Sequence, residues 1–430
     1  MKRRKSSRKG LILYLERKFL KKSLESKYQK RMIEMEYSLS QKQNINFLVF
    51  IVPFLLGLGV DLYVPSLPAI TNYFHTQASF VQLTISLYML GYGMGQTVLG
   101  ILSDSFGRRK VLLMSALFFT MVSFFAILSS NVFMLEVCRF LQGFSVAGLA
   151  VVARAIIVDV FSGAELANAT NSLTLSWSLG PIIAPFIGGY LQHYFDWQSN
   201  FYLFGLYGLF IFVYAFIKLP ETNLHLSKLS FSRTYNSISV IGAHPAFMLL
   251  TTIAGFCYAI VVLFNIVGPF LIQTVLKYSV IDYGNIALVL GCAYFLGALS
   301  NRFASNYFKS KTLLIFGLIS SFTSSILMIV LGFTFGINLF VVLIPIFLIF
   351  FFIGFIVPNA LVQTMTLFSK TAGTASSIFG TLTGIIVFFV TIFGSSLKTD
   401  SQIPLSFTYL VLLLLSIIIF LLVRKLESTK

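Results

Sequence analysis

Long apolar stretches recur along the chain after residue 45, with short polar breaks between them. A helix that crosses a bilayer needs about 20 predominantly apolar residues, and each of these stretches is long enough. The pattern predicts an all-α integral membrane protein with twelve spanning helices, at residues 46–70, 78–103, 111–130, 132–160, 167–191, 200–218, 244–275, 281–303, 312–334, 337–363, 372–397 and 404–424.

A long polar break at residues 219–243 divides the predicted spans six and six. A short repeat supports this division, because the pattern G-x-L-S-[D/N]-x-F occurs at 100–106 and again at 297–303, at the same end of the second and eighth spans. Parallel repeats of six spans build one large class of secondary transporters. The predicted domains are a tail at 1–45, halves at 46–218 and 244–425, the central loop at 219–243 and a short end at 426–430.

Composition and charge agree with a membrane protein. Only 10% of the residues are charged, against about 25% in soluble domains. The net charge of +17 raises the question of nucleic acid, but residues 1–45 hold 14 of the 31 Lys and Arg. This bias predicts that both termini are cytosolic and disfavours nucleic acid as a partner. The tail's apolar spacing suits an amphipathic helix on an anionic membrane surface, although a tail that only sets topology is the favoured interpretation.

Charged residues inside spans are costly and therefore mark candidate functional sites. Asp61 in the first span and Arg139 in the fourth lie at similar depths, about 13 and 12 Å from the outer ends. A carboxyl group placed between a cation and an apolar surround can load and release a proton. Asp61 is accordingly the predicted proton site, and the alternative is a static ion pair that locks two helices together.

A second group of charges lies at the cytosolic end of the spans. Asp104 precedes Arg108 and Arg109, and Gly107 permits the tight turn between them. Because Asp159 lies at the matching end of the fourth span, either arginine can bridge the two aspartates. The group is then a breakable latch, and the alternative is a solvated loop that only satisfies the charge bias.

The fifth span concentrates residues that bend helices or let them pack closely. Prolines remove helix hydrogen bonds, and glycines allow a neighbouring helix to approach. We interpret the span as a kinked, closely packed helix rather than as ordinary tolerance of such residues in membranes. The residues concerned are Gly180, Pro181, Pro185, Gly188 and Gly189.

Catalytic and metal chemistry are not indicated. The three cysteines lie within spans and show neither metal-ligand nor disulfide spacing. The four histidines are isolated from one another near span ends. We therefore expect no enzyme, no metal site and no cofactor.

These motifs resemble those of major facilitator drug–proton antiporters of the bicyclomycin and chloramphenicol resistance type, over residues 46–425. The matching segments are Gly100-x-x-x-Asp104-x-x-Gly107-Arg108-Arg109, Arg139-x-x-Gln142-Gly143 with Arg154 and Asp159, Gly180-Pro181 with Pro185 and Gly188-Gly189, and Asp61-x-Tyr63-x-Pro65-Ser66-Leu67-Pro68. The chain departs from the family in having Asp61 as the sole acid of its first span, Val158 where relatives often have Arg, and Asn301 in place of Asp.

The resemblance implies the major facilitator fold and proton coupling by Asp61 and Arg139. It also implies a cytosolic gate that includes Gly100 and Arg154, and our candidates for lining a central substrate cavity are Tyr63, Gln142, Asn265 and Tyr294. The expected function is efflux of small hydrophobic or amphipathic drugs across the bacterial inner membrane, by a monomer driven by the proton gradient. Export of an endogenous metabolite or siderophore, and a membrane receptor that uses the basic tail, stay as alternatives.

Overall fold

The computed structural model describes residues 37–223, 226, 239–368 and 372–428. These residues contain no strand and twelve long helices, of which eleven are long and apolar enough to cross a membrane. The twelfth, α5, has 33 residues, and its Ser, Gly and Pro residues lower its hydropathy. The helices are α1 Leu39–Asp61, α2 Ala78–Phe106, α3 Arg108–Ile127, α4 Val132–Val160, α5 Gly163–Phe195, α6 Gln198–Lys218, α7 Pro245–Pro269, α8 Val280–Ala304, α9 Ser310–Phe335, α10 Leu339–Leu367, α11 Ala372–Ser395 and α12 Ile403–Ser428.

Helix α1 begins inside the segment that we assigned to the tail. The Ser38 hydroxyl accepts a hydrogen bond of 3.2 Å from the Gln41 backbone N–H, and the Gln41 side chain accepts one of 2.8 Å from the Ser38 N–H. This reciprocal cap satisfies two N–H groups that the helix leaves free, so the helix starts at Leu39. The predicted boundary at residue 46 is wrong because the first turns are polar. Residues 1–36 of the predicted tail helix lie outside the described residues, as do 224–225 and 227–238 of the central loop.

The first span is also broken, although the pattern predicted one continuous helix. Helix α1 ends at Asp61, a 3-10 turn covers Val64–Ser66, and a short helix occupies Leu67–Tyr73. Proline has no N–H group, so Pro65 cannot bond to the carbonyl of Asp61 four residues earlier. The break therefore places Asp61 at the end of a helix rather than in the middle of one.

The helices pair in the same way in the two halves. In the first half α1 packs with α5, α2 with α4, and α3 with α6. In the second half α7 packs with α11, α8 with α10, and α9 with α12. Each pairing recurs six helices later, which is the arrangement expected of a duplicated six-helix unit.

Two pairs of helices join the halves, α2 with α11 and α5 with α8. A Cβ atom on Gly384 would lie 2.7 Å from the Gly93 Cα, and one on Gly284 would lie 2.9 Å from the Pro185 carbonyl oxygen. These positions need glycine because the backbones themselves touch. We call the side on which α1 begins the inner side. The α5–α8 contact lies toward the outer side, whereas the α2–α11 contact extends toward the inner side.

Candidate functional site

Asp61 joins the two halves of the molecule. It is the last residue of α1, and its side chain is only 7% exposed. The side-chain amide of Asn265, on α7 of the other half, donates a hydrogen bond of 2.5 Å to the Asp61 carboxyl group. A predicted proton site and a predicted cavity residue therefore contact each other across the interface between the halves.

Two further amide side chains cross this interface beside Asp61. Gln82 on α2 donates to the carbonyl of Ile266 at 3.1 Å, and Gln273 donates to the carbonyl of Pro65 at 2.9 Å. Separating the halves here must break these hydrogen bonds. The sequence reasoning missed both glutamines, since a polar residue near a span end shows no partner until the helices are packed.

Arg139 lies in a closed pocket within the first half. Its side chain is fully buried, and its guanidinium donates to the Gly59 carbonyl and to the Gln142 side chain, each at 2.8 Å. The guanidinium carbon lies 4.7 Å from the ring centre of Tyr63 and 4.3 Å from that of Tyr88, within the range of attractive cation–π contacts. The pocket thus holds the cation by aromatic faces and neutral oxygens.

The static ion pair between Asp61 and Arg139 is not formed in this structure. Among the described residues, the ion pairs closer than 4.0 Å do not include Arg139. The two groups are linked through the last turn of α1 instead, because Arg139 bonds to Gly59, two residues before Asp61. The carboxyl group is consequently free to change its charge without opening a salt bridge.

Two of the predicted cavity residues lie inside the first half. Tyr63 is fully buried, hydrogen bonds to Thr84 and packs its ring 5.6 Å from that of Phe201. Gln142 accepts from Arg139 and donates to the Ser123 hydroxyl at 2.8 Å. Both side chains support the Arg139 pocket in this structure, and their predicted place in a cavity wall stays a prediction.

The other two predicted cavity residues belong to the second half. Asn265 faces Asp61, as described above, and only 9% of its surface is exposed. Tyr294 is partly exposed on α8.

Arg108 bridges three helices at the inner end of the first half. Its Nε donates to the Asp159 carboxylate at 3.0 Å, and its Nη1 donates both to Asp104 and, at 2.8 Å, to the Ser103 hydroxyl. Arg109 does not bridge the aspartates but donates to the carbonyl of Phe216 at the end of α6. The structure brings the predicted latch residues together, with Arg108 as the bridging arginine.

Glu221 is a residue of this cluster that the sequence reasoning missed. Its carboxylate accepts hydrogen bonds of 2.8 and 3.2 Å from the backbone N–H groups of Arg108 and Arg109. The start of a helix carries partial positive charge, so an acid is favourable there. Gly107 has a φ of +98°, and a Cβ atom on it would lie 2.3 Å from the Glu221 carboxylate. Sequence spacing offers no signal for a cap that is more than 100 residues away.

Gly100 and Arg154 do not take part in the bridging contacts of that cluster. Gly100 faces Val151 on α4, where an added Cβ would lie 3.2 Å from the valine side chain. Arg154 donates to Gln96 on α2 at 2.5 Å and to Ser376 on α11 at 3.3 Å. Arg154 therefore makes its hydrogen bonds at the interface between the halves, and its predicted place in the cytosolic gate stays a prediction.

The small residues of helix α5 pack against two neighbours, α1 of its own half and α8 of the other half. Gly180 meets Gly57 of α1, where an added Cβ would lie 2.6 Å from the opposite Cα, and Gly188 meets the Leu62 carbonyl. Gly189 and Pro185 meet α8 of the other half. The fifth-span motif, with Pro181 beside Gly57, thus packs α5 between its own half and the second half.

The comparisons with known proteins agree with this architecture. The Major Facilitator Superfamily model matches residues 49–391. A bicyclomycin resistance protein homolog of Haemophilus influenzae is 27% identical over 398 residues, covering 88% of this chain and 96% of that protein. An uncharacterized transporter of Rickettsia bellii is 29% identical over 82% of this chain and 89% of that protein. The crystal structure of a D-xylose–proton symporter shares the fold, with a TM-score of 0.74 and 14% identity over 88% of this chain and 96% of that one.

Proposed function

The chain belongs to the Major Facilitator Superfamily, and from that premise we propose that it exports small hydrophobic or amphipathic drugs in exchange for protons. The family match confirms that the chain is a membrane-embedded transporter and not an enzyme. The name of the Haemophilus influenzae relative supports a drug as the exported compound. We further propose that it acts as a monomer in the bacterial inner membrane, and the distribution of positive charge supports cytosolic termini.

The contact between Asp61 and Asn265 is the observation that supports proton coupling. A carboxylate at the C-terminal end of α1 faces the partial negative charge of the helix carbonyls, which disfavours its charged form. The same carboxyl group accepts the Asn265 hydrogen bond from the other half, and an amide donor binds a charged acceptor more strongly than a neutral one. The charge on Asp61 is thereby tied to how firmly the halves are held together.

Proton uptake and release by Asp61 are then coupled to the opening of the two halves on alternate sides of the membrane. When they separate on the outer side, water reaches Asp61 and the carboxylate takes a proton. The neutral acid costs less to bury than the carboxylate, and this difference outweighs the weakening of the Asn265 hydrogen bond, so the halves close again over a protonated Asp61. Opening on the inner side releases the proton to the cytosol, and the drug moves outward in the other half of the cycle. Arg139, held in its pocket, keeps the last turn of α1 in place throughout.

The substitution Asp61→Asn tests this proposal. In inverted vesicles energised by a pH gradient, wild type should accumulate radiolabelled chloramphenicol or bicyclomycin and Asp61→Asn should not. The variant should still exchange labelled for unlabelled drug without a gradient, because its drug site is intact. Asp400→Asn, which alters an exposed loop residue, is the matched control and should transport normally. Gradient-driven accumulation by Asp61→Asn at the wild-type level would contradict proton coupling through this residue.

A further inference from the structure

Arg154 is a second cation within the spanning helices, and the proton-coupling scheme does not use it. It lies on α4 six residues before the helix ends at Val160, about 9 Å along the helix from its inner end. Its two contacts, Gln96 on α2 and Ser376 on α11, are both neutral. Among the described residues, the ion pairs closer than 4.0 Å do not include Arg154.

A cation within a span pairs with an anion or with backbone carbonyls, or it faces a water-filled cavity. Arg139 has aromatic faces and a backbone carbonyl around it, as shown above, whereas Arg154 has two side-chain oxygens that can rotate away. Arg154 is also partly exposed, so a solute can reach it. The guanidinium therefore has no anionic or backbone-carbonyl partner of the kind that Arg139 has, and a solute anion can supply one.

Gln96 provides an independent sign of a ligand at the same place. Its side chain is fully buried, and its Nε2 neighbours the Tyr92 hydroxyl but makes no hydrogen bond of good geometry among the described residues. Leaving a buried amide donor without a good partner is destabilising, because the group has lost its water and gained nothing in return. Gly380 on α11 faces this amide, and an added Cβ there would lie 3.1 Å from the amide carbon. The absence of a side chain at Gly380 lets α11 pack closely against this amide.

We propose that Arg154, Gln96 and Ser376 bind a carboxylate group of the exported compound, so that the substrates include amphipathic organic acids. A guanidinium binds a carboxylate through two parallel hydrogen bonds, and the Gln96 amide and Ser376 hydroxyl can donate to the same oxygens. Arg154 belongs to the first half and Ser376 to the second, so a bound carboxylate draws the halves together on the inner side. This inference rests on the proposed export function and names the substrate class.

Two isosteric pairs of probes test the proposal on purified full-length protein in detergent. These are 1-naphthoate with 1-naphthamide, and octanoate with octanamide, measured by titration calorimetry. We expect the carboxylate of each pair to bind at least about tenfold more tightly than its amide, because one charge-assisted hydrogen bond is worth that ratio. Equal affinity within both pairs, including no binding of either member at millimolar concentration, would overturn the proposal.

Substitutions of Arg154 then test whether this residue causes the preference for the carboxylate over the amide. Arg154→Gln should bring the carboxylate affinity down to that of the amide, and Arg154→Lys should keep part of the preference. An unchanged affinity for 1-naphthamide shows that each variant is folded. Arg302→Gln, which removes an exposed cation at the inner end of α8, should keep the full preference. A preference that survives in Arg154→Gln would also overturn the proposal. Asp61→Asn should bind both probes like wild type, so loss of proton coupling does not affect this test.

Discussion

The inner ends of the two halves have the same helix arrangement but different chemistry. In the first half Arg108, the first residue of α3, ties Asp104 of α2 to Asp159 of α4. In the second half Asn301 occupies the repeat position of Asp104 and Ser310 is the first residue of α9. Charged side chains therefore join α2, α3 and α4, whereas their counterparts α8, α9 and α10 are joined by neutral groups.

In the second half, hydrogen bonds between neutral groups join the inner ends of α8, α9 and α10. Asn359 of α10 donates to Asn301 of α8 at 2.6 Å, and the Ser310 hydroxyl donates to the Asn359 carbonyl at 3.3 Å. Gln363 of α10 donates to that hydroxyl at 3.1 Å. The replacement of Asp by Asn at position 301, which the sequence suggested would weaken a latch, is thus accommodated by an amide that bonds to it.

At their inner ends the two halves therefore differ more in the strength of their hydrogen bonds than in the arrangement of their helices. Hydrogen bonds to charged groups contribute about 1.5–3 kcal/mol each, against about 0.5–1.5 kcal/mol between neutral groups. The Asp104 side chain is 57% exposed, so solvent weakens its ion pair with Arg108. The Asp159 side chain is only 23% exposed, so its ion pair with Arg108 is weakened less. The bond between Arg108 and Asp159 is therefore the strongest single contact of the two clusters, and we expect the first half to move as the more rigid unit.

Removing the charged bridge should have the largest effect. Arg108→Gln takes away both ion pairs and leaves Asp159 with its hydrogen bond to Thr222 of 3.4 Å. We expect drug turnover in inverted vesicles to fall about tenfold or more, because a charged hydrogen bond is lost. Drug binding to the purified protein should change much less, since the cluster lies away from Asp61. Lys110→Gln, at an exposed neighbour, is the control. A loss of binding without a loss of turnover would show that the cluster is not a gate.

Cutting the neutral network should have a smaller effect. Asn359→Ala removes the hydrogen bond to Asn301, and we expect turnover to fall by about twofold to tenfold, as for one neutral bond. The exposed Thr366→Ala on the same helix serves as the comparison in the same vesicle assay. An effect as large as that of Arg108→Gln would mean that charge does not distinguish the two halves.

The smallest effect is expected at the start of α9. Ser310→Ala removes a hydroxyl, but the Asn359 carbonyl keeps a second hydrogen bond, of 3.2 Å, from Gln363. Turnover should therefore stay within about twofold of wild type, and the melting temperature of the purified protein should shift only slightly. A tenfold loss of turnover would assign to the second half a latch that depends on this one residue.

Several features of the site could be predicted because they depend on local sequence. Asp104 and Arg108 are four residues apart and meet across one turn, and Asp159 follows from its place at the same end of another span. Asp61 and Arg139 stand out because charge is rare inside a membrane. Their partners could not be predicted in the same way. Glu221 and Asn265 reach their targets from parts of the chain that only packing brings near.

The helical class and the number of spans follow from the sequence, because a long apolar segment in a bilayer must satisfy its backbone hydrogen bonds within a helix. The duplicated plan follows from the repeat at 100–106 and 297–303. Tertiary structure alone decided which way each helix faces. Packing directs the side chains of Tyr63 and Gln142 toward Arg139. It also pairs Asp61 with Asn265 rather than with Arg139, and it places Arg154 at the interface between the halves. These outcomes depend on helix rotation and on which backbones can touch, and neither is encoded in the spacing of one segment.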